Sequence, residues 1–344
     1  MAATNDNTTF TMFTERGRCL HQVYPVVDYY VWIKVIFQVP LIFIIAVIGL
    51  PANILAVIGI GYERPYTSTS VLLQGLAVTD SLVLISQVFG TSLQFLYYYT
   101  GLWFEYILFI AHAYRYIYTA QYFSKTASIF ITLCVATERY IAVCRPLRAA
   151  TVCTKRNAYI SLFTIYLGAF FYRIPLFFTQ EVKYRYDPCS RMILPRWYPS
   201  DIYFNFYFDI IYLTSVYISI NSVIPIISLT ILTYLILSSL KQATTSHLSK
   251  NDTKRAKHMD MVTLRVVIVV VVFIILELPG GLCQIPAVLR SFSALTIDFR
   301  AYESALAIGY FLINLNSFVN FFIYCATGRR FRRALGEVFR CRRK

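Results

Sequence analysis

The sequence predicts an all-α membrane protein, a bundle of seven transmembrane helices. Of its 344 residues, 58% are hydrophobic and only 14% are charged, whereas about a quarter of the residues in soluble domains are charged. A helix needs about 20 apolar residues to cross a bilayer. Seven segments reach this length without turn signals, and short polar loops separate them, so helices are expected rather than barrel strands. The segments lie near residues 35–61, 69–98, 116–144, 157–179, 205–238, 262–289 and 302–326.

The charges of the connecting loops predict how the bundle is oriented. One set of connections holds 19 Lys and Arg against 5 acidic residues, and the other set holds 10 of each. Basic residues accumulate in cytosolic loops, so the N-terminus is expected outside and the C-terminus in the cytosol. The net charge of +15 suits anionic lipid and acidic protein partners, and gives no reason to expect nucleic-acid binding. The basic set comprises residues 62–66, 138–156, 241–261 and 328–344.

This orientation divides the chain into three parts. Residues 1–34 are expected to form an extracellular tail, residues 35–327 the membrane domain, and residues 328–344 a cytosolic helix and tail. No cleavable signal peptide is visible in the tail, so the first helix is expected to act as its own insertion signal. Asn7, followed by two threonines, is a glycosylation acceptor on the outer side.

The segment after the seventh span has the pattern of an amphipathic helix. Phe331, Leu335 and Phe339 recur every four residues with arginines between them, which predicts a helix lying on the inner membrane leaflet. Cys341 lies beside this helix and is a candidate for palmitoylation.

Several spans carry polar residues, which are costly inside a membrane unless they find partners. Asn53 on the first span, Asp80 on the second and Asn320 on the seventh are expected to be mutual partners. The third span ends in Glu138-Arg139-Tyr140, where an acid can hold the arginine from other partners. The remaining span signatures are Pro225 on the fifth, Phe273 and Pro279 on the sixth, and Tyr324 on the seventh.

In their order and positions these residues resemble the rhodopsin-type G-protein-coupled receptors. The resemblance implies a multi-pass receptor of the plasma membrane that binds an extracellular ligand and activates a heterotrimeric G protein. It also implies that Arg139 faces the G protein as a switch, restrained by Glu138, with Tyr140, Asn320 and Tyr324 in the same machinery. Met259 stands where many relatives have an acid that locks this arginine, which predicts measurable signalling without ligand.

The resemblance further implies a sodium pocket. Ser128 lies eleven residues before Arg139, three helical turns along the third span, as such a pocket requires. A buried, oxygen-rich set with one carboxylate suits a hard monovalent cation; the alternative is a hydrogen-bond network with water and no ion. No other metal and no cofactor are expected. The pocket residues are Asp80, Ser128, Asn316, Ser317 and Asn320.

The chain departs from the family pattern at informative positions. Tyr114 stands where the family usually has an extracellular cysteine, so Cys189 lacks its usual partner and either pairs with Cys19 or stays free. Glu277 replaces the tryptophan of the sixth span, and Phe321 replaces the proline after Asn320.

Glu277 and Lys125 are both charged residues within spans, which makes them functional-site candidates. The family position of Lys125, fourteen residues before Arg139, faces that of Glu277. Since removing one partner of a buried ion pair costs about 3–5 kcal/mol, we expect a salt bridge between them at the base of the ligand cavity. The alternative is that Lys125 extends towards the surface and Glu277 is protonated.

The candidate ligand cavity excludes two ligand classes. Gln121 stands where amine receptors have an aspartate, so no carboxylate awaits a small ammonium group, and residues 302–327 contain no lysine for a retinal Schiff base. Tyrosines in the cavity-facing stretches suit aromatic and cationic ligand groups, although belting at the membrane interface explains many of them. The cavity residues are Gln121, Tyr122, Lys125, Glu277 and Tyr310.

A narrower resemblance concerns the ligand. The stretches 173–178 and 320–332 are similar to those of invertebrate FMRFamide-type neuropeptide receptors, in which Phe often follows the seventh-span Asn. This similarity implies a short peptide with an amidated Arg-Phe end. A chemosensory or orphan receptor for a non-peptide ligand is the alternative.

Two other function classes are disfavoured. The four histidines have no metal-ligand spacing, and neither paired acids nor a phosphate loop is present, so an enzyme is not expected. A small transporter would use intramembrane charges such as Lys125, Arg173 and Glu277, but transporters more often show an internal repeat.

Overall fold

The computed structural model describes residues 29–100, 104–187, 192–245, 250–283 and 298–341, and these residues are mostly helical. A β-hairpin, β1 (Gln180–Asp187) and β2 (Met192–Pro199), interrupts the helices. The α-helices are α1 (Tyr29–Gln38), α2 (Pro40–Tyr62), α3 (Ser68–Gln87), α4 (Leu93–Thr100), α5 (Phe104–Cys144), α6 (Pro146–Val152), α7 (Lys155–Arg173), α8 (Ile224–Thr245), α9 (Lys250–Leu282), α10 (Phe299–Thr327) and α11 (Arg329–Cys341).

Within the described residues, six helical stretches are long and apolar enough to cross a membrane. A shorter apolar helix, Val266–Leu282, lies where the sixth span is predicted. The six stretches together with this helix are consistent with the predicted seven-helix bundle. The six are Trp32–Tyr62, Ser68–Leu96, Leu108–Cys144, Lys155–Thr179, Ser219–Lys241 and Arg300–Thr327.

Helix ends differ from the predicted spans where helical structure continues into polar sequence. The helix of the third span begins at Phe104, well before the predicted start at residue 116. Hydropathy marks where a helix is apolar, whereas backbone hydrogen bonding extends it through Arg115 and its neighbours. Similarly, α9 begins at Lys250 although the predicted span begins at residue 262.

Local sequence fixes several helix starts. Thr67 forms a capping box with Ser70, and Asp298 accepts a hydrogen bond from the Arg300 amide at 3.0 Å. Such side chains satisfy backbone N–H groups that a helix leaves unpaired at its N-terminus. Val88–Ser92, Phe208–Val216 and Ser219–Val223 are π-helical, a form that is frequent at functional sites.

Helix α5 forms the centre of the bundle. It packs against α3, α7, α8 and α9, while α2 packs against α3 and α10, and α10 packs against α9. Leu76, Ile131 and Phe273 are almost fully buried in the shared core. The outer faces are apolar as well, because Phe163 and Ile275 are 67% and 61% exposed. A wide exposed apolar surface is the expected feature of helices that face lipid.

Both ends of the bundle carry additional structure. The antiparallel hairpin pairs Gln180 with Pro199 and Asp187 with Met192, and it contacts α5. Helix α11 packs against α2, where Phe331 is fully buried.

Candidate functional site

A cavity of about 280 Å³ lies among α1, α3, α5 and α10. Four of the residues expected to face a ligand line it, namely Gln121, Tyr122, Lys125 and Tyr310. Glu277, the fifth, does not line it and is only 2% exposed. The cavity is therefore built from α5 and α10 as the sequence predicts, whereas the sixth-span position of Glu277 lies outside it.

Lys125 lies at the inner end of the α5 wall of this cavity. Its Nζ donates a hydrogen bond to the Tyr217 hydroxyl at 3.2 Å. The same Nζ lies 5.9 Å from the ring centroid of Tyr217 and 5.6 Å from that of Tyr310. An ammonium within about 6 Å of an aromatic ring is attracted by the ring quadrupole. Two rings and a hydroxyl thus hold the lysine in place.

The expected salt bridge between Lys125 and Glu277 is not formed. The ion pairs within 4.0 Å that the described residues contain join other residues, and Lys125 and Glu277 interact only through space. Spacing along the helix predicted that Lys125 faces the cavity, and the structure places it in the cavity lining. It did not predict the direction of a long side chain that finds tyrosine rings nearby.

Arg173, at the end of α7, is a buried cation that the sequence analysis considered only as a general intramembrane charge. It is 2% exposed, and its Nε donates a hydrogen bond to Thr126 Oγ1 at 2.8 Å. Its guanidinium carbon lies 4.2, 4.9 and 5.5 Å from the ring centroids of Tyr172, Tyr217 and Tyr122. Desolvated cation–π contacts of this kind are worth about 2 kcal/mol. In the sequence Tyr172 adjoins Arg173, whereas Tyr122 and Tyr217 lie on other segments, so no local signal indicated the full cluster.

The outer end of the cavity is closed by contacts between elements distant in sequence. Lys34 on α1 pairs with Glu303 on α10 at 2.8 Å, and both line the cavity. Tyr114 stacks on Trp197 of β2 with ring centroids 4.2 Å apart and planes at 14°. The stack joins the hairpin to α5 at the position where the family usually has a cysteine. Cys19 and Cys189, the alternatives for pairing, lie outside the described residues, as does Asn7.

A polar network lies deeper in the bundle around Asp80, which is fully buried. Ser128 donates a hydrogen bond to one carboxylate oxygen at 2.7 Å, and Asn320 Nδ2 donates to the other at 2.8 Å. The Ser317 hydroxyl also bonds the carboxylate, and Asn53 Nδ2 donates to the Ser317 carbonyl at 3.0 Å. The three residues expected to be mutual partners, Asn53, Asp80 and Asn320, therefore join one network.

The donor set of this network suits a small hard cation. One buried carboxylate, the hydroxyls of Ser128 and Ser317, and the amide oxygens of Asn316 and Asn320 supply oxygen ligands only. Ser128, Ser317 and Asn320 contact Asp80 and are buried, and Asn316 is buried next to Ser317 in the chain. A cation at Asp80 would therefore exchange bulk water for protein oxygens. In the structure Asn320 presents its nitrogen to Asp80, so ion binding would require that amide to rotate.

The C-terminal end of α5 carries the expected switch residues. Arg139 lies 3.7 Å from Glu138, and it also donates a hydrogen bond to Thr69 Oγ1. Ser68 donates to Glu138 Oε1 and to the carbonyl of Cys153, the latter at 3.0 Å. Burial and the nearby Glu138 carboxylate raise the pKa of the Cys153 thiol. The first turn of α3 thus holds the Glu138–Arg139 pair, a contact that the sequence analysis did not anticipate.

The remaining switch residues lie along the inner half of α10 and α5. Tyr324 is 1% exposed and its ring centroid lies 6.0 Å from that of Phe331 in α11. Tyr140 is half-buried beside Arg139. The side chains of Met259 and Cys341 fall outside the described set.

Comparison with known proteins decides the family. A model of the seven-transmembrane receptors of the rhodopsin family matches residues 52–324. The chain belongs to this family. The resemblance carried by Asp80, Glu138-Arg139-Tyr140 and Asn320 is thereby confirmed, and the family is a receptor class rather than an enzyme class.

Two relatives of this receptor are named for peptides. The chain is 30% identical over 307 residues to the "FMRFamide receptor" of Drosophila melanogaster, covering 88% of this chain and 54% of that protein. It is 26% identical over 329 residues to the "Sex peptide receptor" of the same organism, covering 88% of this chain and 72% of that protein. This receptor therefore spans about half of the length of the FMRFamide receptor. The predicted similarity to FMRFamide-type receptors is confirmed.

Proposed function

We propose that this receptor binds a short extracellular neuropeptide, of the Arg-Phe-amide type, in the cavity among α1, α3, α5 and α10, and activates a heterotrimeric G protein at the plasma membrane. The observation that carries the proposal is a membrane cavity walled by tyrosines in a chain similar along most of its length to a receptor named for such a peptide. A peptide ligand, a G protein and membrane lipid are its partners.

The cavity walls suit the aromatic end of such a peptide. Tyr114, Tyr118, Tyr122 and Tyr310 line it, and the rings of Tyr118 and Tyr122 are 4.8 Å apart. A phenylalanine side chain gains both apolar burial and edge-to-face contacts in such surroundings. The arginine of the peptide would reach Glu303 at the outer end and compete with Lys34 for its carboxylate.

Signal transfer is proposed to run along α5 and α10 to the cytosolic end. Release of Arg139 from Glu138 would free its guanidinium for an acidic G-protein surface. Tyr140, Asn320 and Tyr324 would complete this machinery, since Asn320 bonds Asp80 and Tyr324 packs on α11. The extent of the three chain parts, 1–34 outside, 35–327 in the membrane and 328–344 in the cytosol, belongs to the same proposal.

A sodium ion bound by Asp80, Ser128, Asn316, Ser317 and Asn320 would supply a positive charge that stabilises the inactive packing of the helices. The chain's own contribution is to hold five oxygen-bearing side chains in a buried space between α3, α5 and α10. Glycosylation at Asn7 and lipidation at Cys341 are proposed on the sequence pattern alone.

Expression in cells with a promiscuous G protein tests this proposal. We expect calcium responses to amidated Arg-Phe peptides at nanomolar concentration, and none in cells lacking the receptor. Responses to a non-peptide panel only, with surface expression verified by antibody, would replace the peptide proposal with a chemosensory one. If cells that express the chain take up a labelled compound from either panel without any G-protein activation, that result would instead support a transporter.

A further inference from the structure

The charges that line the ligand cavity are unequally compensated. Three of its lining residues are charged, namely Lys34, Glu303 and Lys125. Lys34 and Glu303 neutralise one another at 2.8 Å. Among the lining residues Lys125 therefore has no partner charge. It lies at the inner end of the α5 wall, whereas the pair lies at the outer end of the cavity.

Lys125 retains the capacity to bind another group. An ammonium has three N–H donors, and among the described residues the hydrogen bond to the Tyr217 hydroxyl accounts for one of them. The neighbouring rings of Tyr217 and Tyr310 attract the charge through their faces, which leave the remaining N–H donors without an oxygen acceptor from the rings themselves. A desolvated ammonium gains most from an oxygen acceptor that enters the cavity.

The groups behind the cavity wall make this end more positive. Arg173 lies on the far side of the same tyrosines, 4.9 Å from the Tyr217 ring centroid. Glu277 is the acid that interacts with Lys125 through space, but it makes no contact with it within 4.0 Å and does not line the cavity. Among the described side chains, Lys125, Arg173 and Glu277 together leave one positive charge in excess at this end.

We propose that the ligand group that reaches the inner end of the cavity is a carbonyl or carboxylate oxygen bound by Lys125, and not a cation. The inference rests on the proposed ligand-binding function of the cavity. For an Arg-Phe-amide peptide, it places the terminal carboxamide oxygen on Lys125. The arginine side chain then points away from Lys125, because two like charges in a poorly solvated site repel strongly.

Three peptides that differ only at their last group test the proposal. They are Phe-Met-Arg-Phe ending in a carboxamide, the same peptide ending in a free carboxylate, and Phe-Met-Arg-phenethylamide, which lacks the terminal carbonyl. We expect the phenethylamide to activate the receptor with a potency lower than that of the carboxamide by roughly 10- to 100-fold, the range for losing a hydrogen bond to a charged group. Equal potency of the carboxamide and the phenethylamide would overturn the proposal.

Variants assign the effect to Lys125. Lys125→Met keeps the length of the side chain without its charge, and should abolish the difference between the carboxamide and the phenethylamide. Lys125→Arg keeps the charge and should preserve part of the difference in potency. It remains a test of the proposal if the Met variant fails to reach the surface. Lys183→Met is the matched control, because Lys183 is an exposed lysine of the hairpin paired with Glu181 at 2.6 Å. An undiminished difference in Lys125→Met would overturn the proposal.

A further measurement separates this inference from the peptide proposal. The melting temperature of the purified receptor is measured with indole-3-acetate or with tryptamine. Both compounds contain the same indole ring, but the first carries a carboxylate and the second an ammonium. Stabilisation by the acid that is lost in Lys125→Met supports the inference even if no peptide activates the receptor. Stabilisation by the amine alone, or no Lys125-dependent stabilisation by the acid, would overturn it whether or not peptides activate.

Discussion

The ring of Tyr114 on α5 stacks on the indole of Trp197 in β2, with centroids 4.2 Å apart and planes inclined by 14°. Tyr118, one turn along α5, also stacks on Tyr114, with ring centroids 5.5 Å apart. Tyr114 occupies the position where the family usually has a cysteine, so an aromatic stack joins the hairpin to the bundle at this point. Both Tyr114 and Tyr118 line the cavity, which links the position of the hairpin to the proposed ligand site.

The stack should contribute measurably to the stability of the outer end. Stacked aromatic pairs are worth about 1 kcal/mol beyond their buried area. A double-mutant cycle of Tyr114→Ala and Trp197→Ala, followed by thermal denaturation of the purified receptor, should show coupling of that size. Trp197→Phe should retain most of it. Tyr186→Ala, at a 63% exposed position of β1, serves as the control and should leave stability unchanged. Strictly additive effects of Tyr114→Ala and Trp197→Ala would contradict the prediction.

The sequence predicted those features of the site that depend on position along a span. Asp80, Ser128 and Asn320 meet because each must find polar company at the same depth of the membrane, and helical rise fixes that depth. Gln121, Tyr122 and Lys125 share the cavity wall because residues three and four apart lie on one face of a helix.

Features that depend on side-chain direction or on loops were not predictable. Lys125 has a long side chain with four rotatable bonds, and its ammonium contacts Tyr217 rather than Glu277. The spacing of residues along a helix does not predict which of these partners the ammonium contacts. Trp197 reaches Tyr114 only because the hairpin register pairs it with Val182 and turns it towards α5. Ser68 and Thr69 lie in the first turn of α3, and their contacts with Glu138 and Arg139 depend on how α3 packs against α5.

Buried Arg173 should be intolerant of replacement by lysine. A guanidinium stacks on rings as a plane and still donates in that plane, whereas an ammonium is a hydrated point charge. We expect Arg173→Lys to destabilise the purified receptor by about 2 kcal/mol, the size of a desolvated cation–π contact. The matched control is Arg185→Lys, because Arg185 lies 5.0 Å from the Tyr198 ring centroid on the exposed hairpin. Equal losses of thermal stability in both variants would show that burial does not strengthen the contribution of the Arg173 cation–π contacts to stability.

Sodium should stabilise the receptor through Asp80. At a sodium concentration ten times the Kd, binding to the folded state alone adds about 1.4 kcal/mol. We expect a higher melting temperature in sodium chloride than in choline chloride of equal ionic strength, and no difference in Asp80→Asn. Ser128→Ala should reduce the difference, because the Ser128 hydroxyl contacts the carboxylate at 2.7 Å. Ser81→Ala is the control, since the Ser81 hydroxyl donates to the Ala77 carbonyl of its own helix at 2.9 Å. Identical melting in both salts would rule out the sodium pocket.

Weakening the hold on Arg139 should raise signalling without ligand. In the structure two groups restrain Arg139. They are the Glu138 carboxylate, 3.7 Å away, and the first turn of α3, which contacts both residues. Losing about 1 kcal/mol of this restraint would change the ratio of active to inactive receptor by roughly fivefold. Glu138→Gln and Ser68→Ala should therefore both increase the calcium baseline at matched surface expression, Glu138→Gln more strongly. Thr137→Ala is the neighbouring control, because Thr137 is exposed and its hydroxyl donates to the Leu133 carbonyl of its own helix. A baseline in Glu138→Gln equal to that of Thr137→Ala would mean that the pair does not hold the inactive state.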